Sequence, residues 1–381
     1  MNLGLLGAGT IGFGVCEIAE KTPGLNIIKV LDCRDIPGLE GKITREISDI
    51  LDDPSIDTVV ELLGGVEPAH TWIMQAMQAG KNVVTANKLM LSEHLPELMA
   101  TARKAGVNLR FSAAVGGGIP YLANLLRARR AEEITEVGGI LNGTTNYMLD
   151  RMHTHGLDFA EALKMAQEAG YAEADPTADV SGGDAKCKVM LSSCIAWDGL
   201  VSKADILCEG IESITAGDMA FAASNGYACK LLARAAKVDG GICCYVEPTL
   251  IARDTVMGSI ALVENMAFFK GVNAGLQRFT GAGAGRYATA YAVINDLTDI
   301  QRCPDAFPFE VSETAIPVDN DAEFHRYLVR GLDIPGSAAA AGGMFITPEI
   351  SVAAMHSLAK AARAAGKDVF FAGIVDKPHS I

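Results

Sequence analysis

The run Gly7-Ala8-Gly9-Thr10-Ile11-Gly12 restricts the folding of this chain more than any other feature. It follows an apolar segment, residues 3–6, and opens a helical pattern over residues 13–20, so three glycines mark a strand-to-helix turn. The first glycine permits the tight turn, the second lets main chain approach a bulky anion, and the third lets the helix pack closely. The helix N-terminus adds free amides and the positive end of its dipole. Asp32 follows the next strand pattern, residues 27–31, where a carboxylate meets ribose hydroxyls. A lone GxGxxG reads equally as a structural turn; with strand, helix and acidic residue in order, it reads as a dinucleotide site. Gly7, Ala8, Gly9, Thr10, Ile11, Gly12 and Asp32 are its expected contacts. Asp32 repels a 2′-phosphate and so slightly favours NAD over NADP, while Arg34 offsets part of that repulsion.

Apolar runs at 3–6, 27–31, 58–63, 82–85 and 108–111 alternate with helical patterns, which predicts a parallel sheet wound with helices. The fold class is α/β: a Rossmann-type doubly wound parallel sheet over residues 1–130, with 281–302 packing back on it. A second, α+β domain for substrate binding and dimerisation is expected over 131–280. It would hold a strand at 137–141, a helical section over 159–200, a helix around 227–237, and strands at 242–245, 249–252 and 277–280. From Cys303 the composition changes, with Pro304, Pro308 and Pro317 close together, and a small C-terminal α/β unit is expected over 304–381. Its parts are a strand at 324–329, a linker of small residues at 337–343, a helix at 351–365 and a strand at 369–375.

A net charge of −14 argues against nucleic acid, since phosphate binding needs a basic surface and the densest basic run is only Arg127-Ala128-Arg129-Arg130. Nine cysteines include no CxxC, and the Cys243-Cys244 couple is vicinal, so neither a zinc site nor a disulfide framework is expected and a reduced cytoplasm fits. The seven histidines (His70, His94, His153, His155, His325, His356, His379) form no HxxxH or HExxH pattern and read as surface or core residues. The chain opens directly on a strand pattern and holds no apolar window of about 18 residues, which predicts neither export nor a membrane span.

Charge gathers in residues 170–188, where Glu173, Asp175, Asp179 and Asp184 crowd beside Lys186 and Lys188. Pro176 and Gly182-Gly183 make the middle a loop, and a helix from Asp184 sets Asp184 and Lys188 one turn apart on one face. Such a group suits a substrate ammonium, with a lysine able to donate a proton to a carbonyl oxygen as hydride reaches its carbon. It suits equally a solvated loop whose i,i+4 pair is worth only ~0.3–0.5 kcal/mol. Lys88, closing Val83-Val84-Thr85-Ala86-Asn87-Lys88, stands beyond a strand's carboxyl end, where doubly wound sheets bind ligands. Cys187 reads as a buried small hydrophobe rather than a nucleophile.

These segments together resemble the homoserine dehydrogenase family. The resemblance covers about residues 1–300 and runs through Glu61-Leu62-Leu63-Gly64-Gly65-Val66-Glu67-Pro68-Ala69, Val84 to Lys88, Val115-Gly116-Gly117-Gly118-Ile119-Pro120, Gly139 to Tyr147, the 170–188 block, and Gly281 to Gly285 with Thr289-Ala290. It implies reversible NAD(P)-dependent interconversion of L-homoserine and L-aspartate 4-semialdehyde, in threonine, methionine and isoleucine biosynthesis, by a cytoplasmic homodimer or higher homo-oligomer. It implies Lys188 as proton donor and Lys88 as a second catalytic lysine near substrate and cofactor. Glu173 and Asp184 would hold the substrate's polar groups with support from Asp179, and Asn142, Gly143 and Thr144 would line its pocket. Gly64, Gly170 and Gly285 would join the cofactor contacts. A monovalent cation, Na⁺, would sit on main-chain carbonyls of Ser112, Val115, Gly117 and Ile119, although many relatives carry Glu at the position of Ser112. Residues 324–336 resemble the first strand and turn of an ACT-type regulatory module and the rest of the tail departs from it, so the tail reads as a divergent regulatory unit or as a sheet extension or oligomer-contact element. The competing readings are a related dehydrogenase acting on another amino-acid aldehyde or imine, and a dinucleotide sensor that has lost catalysis.

Overall fold

The computed structural model describes residues 1–303 and 309–375; Pro304, Pro308 and His379 lie outside the described residues. The chain divides into two compact units, Met1–Ala131 with Cys194–Leu200 and Ala282–Thr314, and Glu132–Ser193 with Val201–Gly281 and Ala315–Ile381.

In the first unit the chain runs β1 (Asn2–Leu6), α1 (Thr10–Ala19), β2 (Asn26–Leu31), β3 (Ile43–Thr44), α2 (Ser48–Leu51), β4 (Thr58–Glu61), α3 (Ala69–Gln78), β5 (Asn82–Thr85), α4 (Lys88–Ala105), β6 (Leu109–Arg110) and α5 (Tyr121–Ala128). The strands form a parallel six-stranded sheet in the order β3-β2-β1-β4-β5-β6. Its centre is apolar because both faces are covered: Val59, Val60, Val83 and Val84 are fully buried. The order reverses between β1 and β4, and such a switch point opens a crevice beyond the strands' carboxyl ends. All five strand patterns read from the sequence correspond to strands of this sheet.

The second unit begins with β7 (Ile134–Ile140), α6 (Gly143–His155), α7 (Phe159–Glu168), α8 (Thr177–Val180) and α9 (Gly183–Trp197). It continues through β8 (Leu207–Cys208), α10 (Ala216–Ser224), β9 (Tyr227–Val238), β10 (Gly241–Ala252), β11 (Glu264–Gly271) and β12 (Gly275–Ala282). After α11 (Arg286–Arg302), which belongs to the first unit, come β13 (Phe324–Arg330), β14 (Ala338–Ala339), β15 (Phe345–Ile346), β16 (Ile350–Ser351), α12 (Val352–Ala364) and β17 (Phe370–Val375). One mixed sheet runs β12-β11-β7-β9-β10-β17-β13-β15-β14. The C-terminal strands therefore extend it, β17 pairing parallel with β10.

Residues 227–237 are a correction: the expected helix is strand β9. Ala, Leu, Lys and Arg favour helix in isolation, but residues 228–233 are buried between β7 and β10, and twelve consecutive pairs with β10 decide the outcome. The two strands expected at 242–245 and 249–252 are a single strand, β10. Pro248 sits within it where its second edge passes from β8 to β17, a changeover that spares a ladder hydrogen bond. Strand β11 and helix α6 carry no signal picked out in the sequence. Among the described residues no helix is long and apolar enough to cross a membrane.

Candidate functional site

The cofactor features of the first unit gather at the carboxyl ends of the parallel strands. Gly7, with φ +93°, takes the chain out of β1 and donates its N–H to Leu31 O at 2.9 Å. A Cβ on Gly12 would stand 2.2 Å from Gly7 O, so only glycine fits there. Gly9 begins α1 without a side-chain cap, and no atom lies within 4 Å of where its Cβ would be. Main-chain amides next to open space are what a pyrophosphate requires, so the turn fits a dinucleotide. Gly64 follows β4 and is likewise open. Gly285, with φ +110°, begins α11, and Gly170, with φ +75°, ends α7 in the second unit.

Asp32, at the end of β2, accepts from Ala8 N at 2.9 Å and from Arg34 Nε and Nη2, both at 3.0 Å. The Arg34 hydrogen bonds hold its carboxyl well below the usual range. Arg34 keeps 61 % of its side chain exposed, and Arg45 Nη1 donates to Asp32 O at 2.7 Å.

Lys88 is half-buried at the start of α4, directly after the N-cap Asn87, whose side chain accepts from Met90 N at 3.2 Å. Beneath it lies a cluster missing from the sequence reading. Glu61 closes β4 fully buried, accepting from Thr85 Oγ1 at 2.5 Å, Leu63 N at 2.7 Å and Asn87 Nδ2 at 3.4 Å. Burial raises its pKa from the ordinary 4.5 to about 7 against those hydrogen bonds. A glutamate ending an otherwise apolar strand was the available signal.

In the second unit, Asn142, Asp179, Asp184 and Lys188 form one hydrogen-bonded cluster. Asn142 caps α6: its Oδ1 accepts from Thr145 N at 2.8 Å, and its Nδ2 donates to Asp179 Oδ1 at 2.6 Å and Asp184 Oδ2 at 2.8 Å. Lys188 Nζ donates to the same Asp184 oxygen at 2.7 Å and to Leu141 O at 2.6 Å. Asp184 and Lys188 are each 8 % exposed, so the pair is not the solvated i,i+4 contact that the spacing also allowed. A buried pair of this kind costs about 3–5 kcal/mol when one partner is removed, because the other charge is stranded. Asp179 is pushed to a higher pKa by burial and by the nearby Asp184 charge, opposed by the Asn142 hydrogen bond. Asp184 thus pairs directly with the ammonium, while Asp179 joins the pair through Asn142. Thr144 donates to Tyr171 O at 2.7 Å and fixes the loop after α7 over this end of α6, while Gly143 starts that helix. Glu173 lies in the same loop with its side chain exposed, and its carbonyl accepts from Gln167 Nε2 at 3.2 Å. The Leu141 carbonyl is a partner that residue types alone could not reveal. Cys187 is buried, as its reading required.

Of the four residues expected to offer carbonyls to a cation, Ser112 begins a short 3-10 turn, Val115 is extended, and Gly117 has φ +54°. Ser112 O accepts weakly from Val115 N at 3.4 Å and Ile119 O accepts from Tyr121 N at 2.7 Å, which leaves each a second lone pair. Ser112 is anchored by the fully buried Asp296, through Oγ at 2.7 Å and N at 2.8 Å, and burial raises the Asp296 pKa to about 6. An all-carbonyl donor set suits a monovalent ion.

The family model described as "Homoserine dehydrogenase, NAD binding domain" matches residues 7–112, and that described as "Homoserine dehydrogenase" matches residues 120–298. The chain is 39 % identical over 317 residues to the homoserine dehydrogenase of Synechocystis, covering 79 % of this chain and 73 % of that protein. It is 32 % identical over 380 residues to that of Neisseria gonorrhoeae, covering 93 % and 87 %. The crystal structure of a homoserine dehydrogenase from Thiobacillus denitrificans matches with a TM-score of 0.88 at 33 % identity, covering 99 % of this chain and 98 % of that one.

Proposed function

Because the chain belongs to the homoserine dehydrogenase family, NAD(P)-dependent oxidoreductases acting on a CH–OH group, we propose that Lys188 is the group that moves the proton in that reaction. The observation that carries this reading is the burial of Lys188 Nζ between Asp184 and the Leu141 carbonyl, which holds an ammonium at a fixed point. The bound nicotinamide cofactor supplies or accepts the hydride. In the reducing direction Lys188 gives its proton to the aldehyde oxygen as the carbon takes the hydride, and then regains one from water. Asp184 keeps the ammonium oriented, and Asn142 keeps Asp184 oriented. Asp179 and Asp184 leave the cluster one positive charge short, which an amino-acid ammonium would supply; Glu173, Gly143 and Thr144 complete this substrate side in the proposal. Lys88 acts as the second lysine, held by the Asn87 cap.

The cofactor is held by Gly7, Ala8, Gly9, Thr10, Ile11, Gly12, Asp32 and Gly64, with Gly170 and Gly285 toward the nicotinamide. Asp32 favours NAD, but its charge is already matched by Arg34, whose exposed guanidinium can meet a 2′-phosphate, so both cofactors are accepted with a small NAD preference. Carbonyls of Ser112, Val115, Gly117 and Ile119 would hold Na⁺ and stiffen that turn. The same reading carries a cytoplasmic location, a place in threonine, methionine and isoleucine biosynthesis, and a homodimer or higher homo-oligomer.

Initial rates of homoserine oxidation with NAD and NADP side by side, each with and without threonine, test the proposal. Turnover with both cofactors is expected. Arg34→Ala should lower kcat/KM for NADP relative to NAD by about tenfold or more, the worth of one charge-assisted hydrogen bond. Absence of homoserine-dependent reduction of either cofactor would overturn the reading.

A further inference from the structure

Two histidines that share no motif, His70 on α3 and His94 on α4, meet in the folded first unit beside Glu97, with ring centroids 3.9 Å apart and planes 20° from parallel. His94 and Glu97 are three residues apart on one face of α4. His70 Nδ1 contacts Glu67 Oε1 at 3.2 Å, and Glu67 is itself held by Thr71 N at 3.3 Å. In the tautomer that donates Nδ1–H to Glu67, the lone pair is on Nε2. His70 Nε2 is buried, makes no hydrogen bond, and lies 3.2 Å from Glu97 Oε2. His70 Nε2 and Glu97 Oε2 thus face one another at a spacing that two ligands of a single cation would share, with the His94 ring beside them. His94 Nδ1 is 3.7 Å from the same oxygen.

We propose that His70, His94 and Glu97 form a binding site for a divalent transition-metal ion of the zinc class, with Glu67 orienting His70 from behind. Two imidazoles and a carboxylate without thiolate are borderline donors that select zinc, cobalt, nickel or copper over magnesium or calcium. The distances of 3.2 and 3.7 Å bracket the edge of a tetrahedron built on bonds of about 2.0–2.1 Å, which is ~3.3 Å. An imidazole that donates its other nitrogen to a carboxylate is the usual support for such a ligand. Stacked rings cannot both aim in-plane lone pairs at one ion, so His94, with 32 % of its side chain exposed, turns out of the stack when the ion enters. Glu97, 56 % exposed, opens the site to solvent, and water fills the fourth position. The bound ion staples α3 to α4 and so raises the thermal stability of the chain.

The test uses the untagged full-length chain stripped with a chelator, titrated with Zn²⁺ by calorimetry and with Co²⁺ by visible absorption. One ion per chain is expected, with cobalt d–d bands, no sulfur-to-metal charge-transfer band, and a melting temperature that rises with Zn²⁺. Glu67→Gln should weaken binding about 10- to 100-fold, and His94→Ala and Glu97→Gln by more, with dehydrogenase turnover unchanged in all three. Glu97→Gln, at an exposed position, keeps the test open should His94→Ala fail to fold. The proposal is overturned if the wild-type chain binds no ion, if the bound cobalt shows a thiolate band from the exposed thiols of Cys33 or Cys303, or if the folded variants bind as tightly as wild type.

Discussion

The cofactor turn of the first unit and the lysine cluster of the second are built from different atoms. Residues 7–12 present main chain: the shape depends on what side chains are absent, and Gly12 is fixed by a contact of 2.2 Å that any Cβ would make with Gly7 O. The second unit presents side chains brought in from Asn142, Asp179, Asp184 and Lys188, and its geometry depends on burial and mutual hydrogen bonds. A main-chain site tolerates changes of charge but not of volume; a buried ionic cluster tolerates neither loss of a partner nor loss of its cover.

Lys188→Ala is the sharpest way to break that contrast. It should lower kcat by about 10²–10⁴-fold, the range for losing a positioned proton donor, while leaving the dissociation constant of NAD(P)H nearly unchanged. It also strands Asp184, so the variant should be less stable by about 3–5 kcal/mol in urea titrations at pH 7. Full activity in a folded Lys188→Ala chain would remove Lys188 from the chemistry. Gly12→Ala should do the reverse. Its extra methyl must displace Gly7 O or the start of α1, costing about 1–3 kcal/mol of stability and weakening cofactor binding in fluorescence titrations, with kcat recovering at saturating cofactor. A larger loss in kcat than in cofactor affinity would mean that the turn also positions the reacting groups.

The same contrast explains what could be read in advance. The parallel sheet was legible because its strands are short and largely apolar, the central ones buried, and the glycine turn because its whole logic is contiguous. Residues 227–237 misled because β9 is made of helix-favouring Ala, Leu, Lys and Arg, and only its neighbours β7 and β10 make it a strand. In the second unit the residue types of the site were visible, but spacing alone left Asp184 and Lys188 equally readable as a solvated pair. Burial to 8 % exposure and the Leu141 carbonyl distinguish the two cases, and both depend on chain folded back from forty or more positions away. His70 and His94 share no motif because the helices that bring them together are separated in the chain by β5.

Glu61 sharpens the comparison from the opposite side, being a buried carboxyl in the unit that holds the main-chain turn. Its hydrogen-bond partners are neutral donors, Thr85 Oγ1, Leu63 N and Asn87 Nδ2. Its folded pKa of about 7 lies above the ordinary 4.5. Below 4.5 the group is protonated in both states and costs nothing. Between 4.5 and 7 the unfolded chain releases a proton that the folded chain keeps, so its contribution to stability falls as pH rises and stays lost above 7. Glu61→Gln retains an oxygen for Leu63 N and an amide that can donate to Thr85 Oγ1, but cannot ionise. The variant should therefore lose this component of the pH dependence, giving a flatter curve of melting temperature from pH 4.5 to 7 and gaining on wild type toward pH 8. Parallel curves for the two proteins over that interval would mean that the carboxylate is already charged in the fold, and that its three donors outweigh its burial.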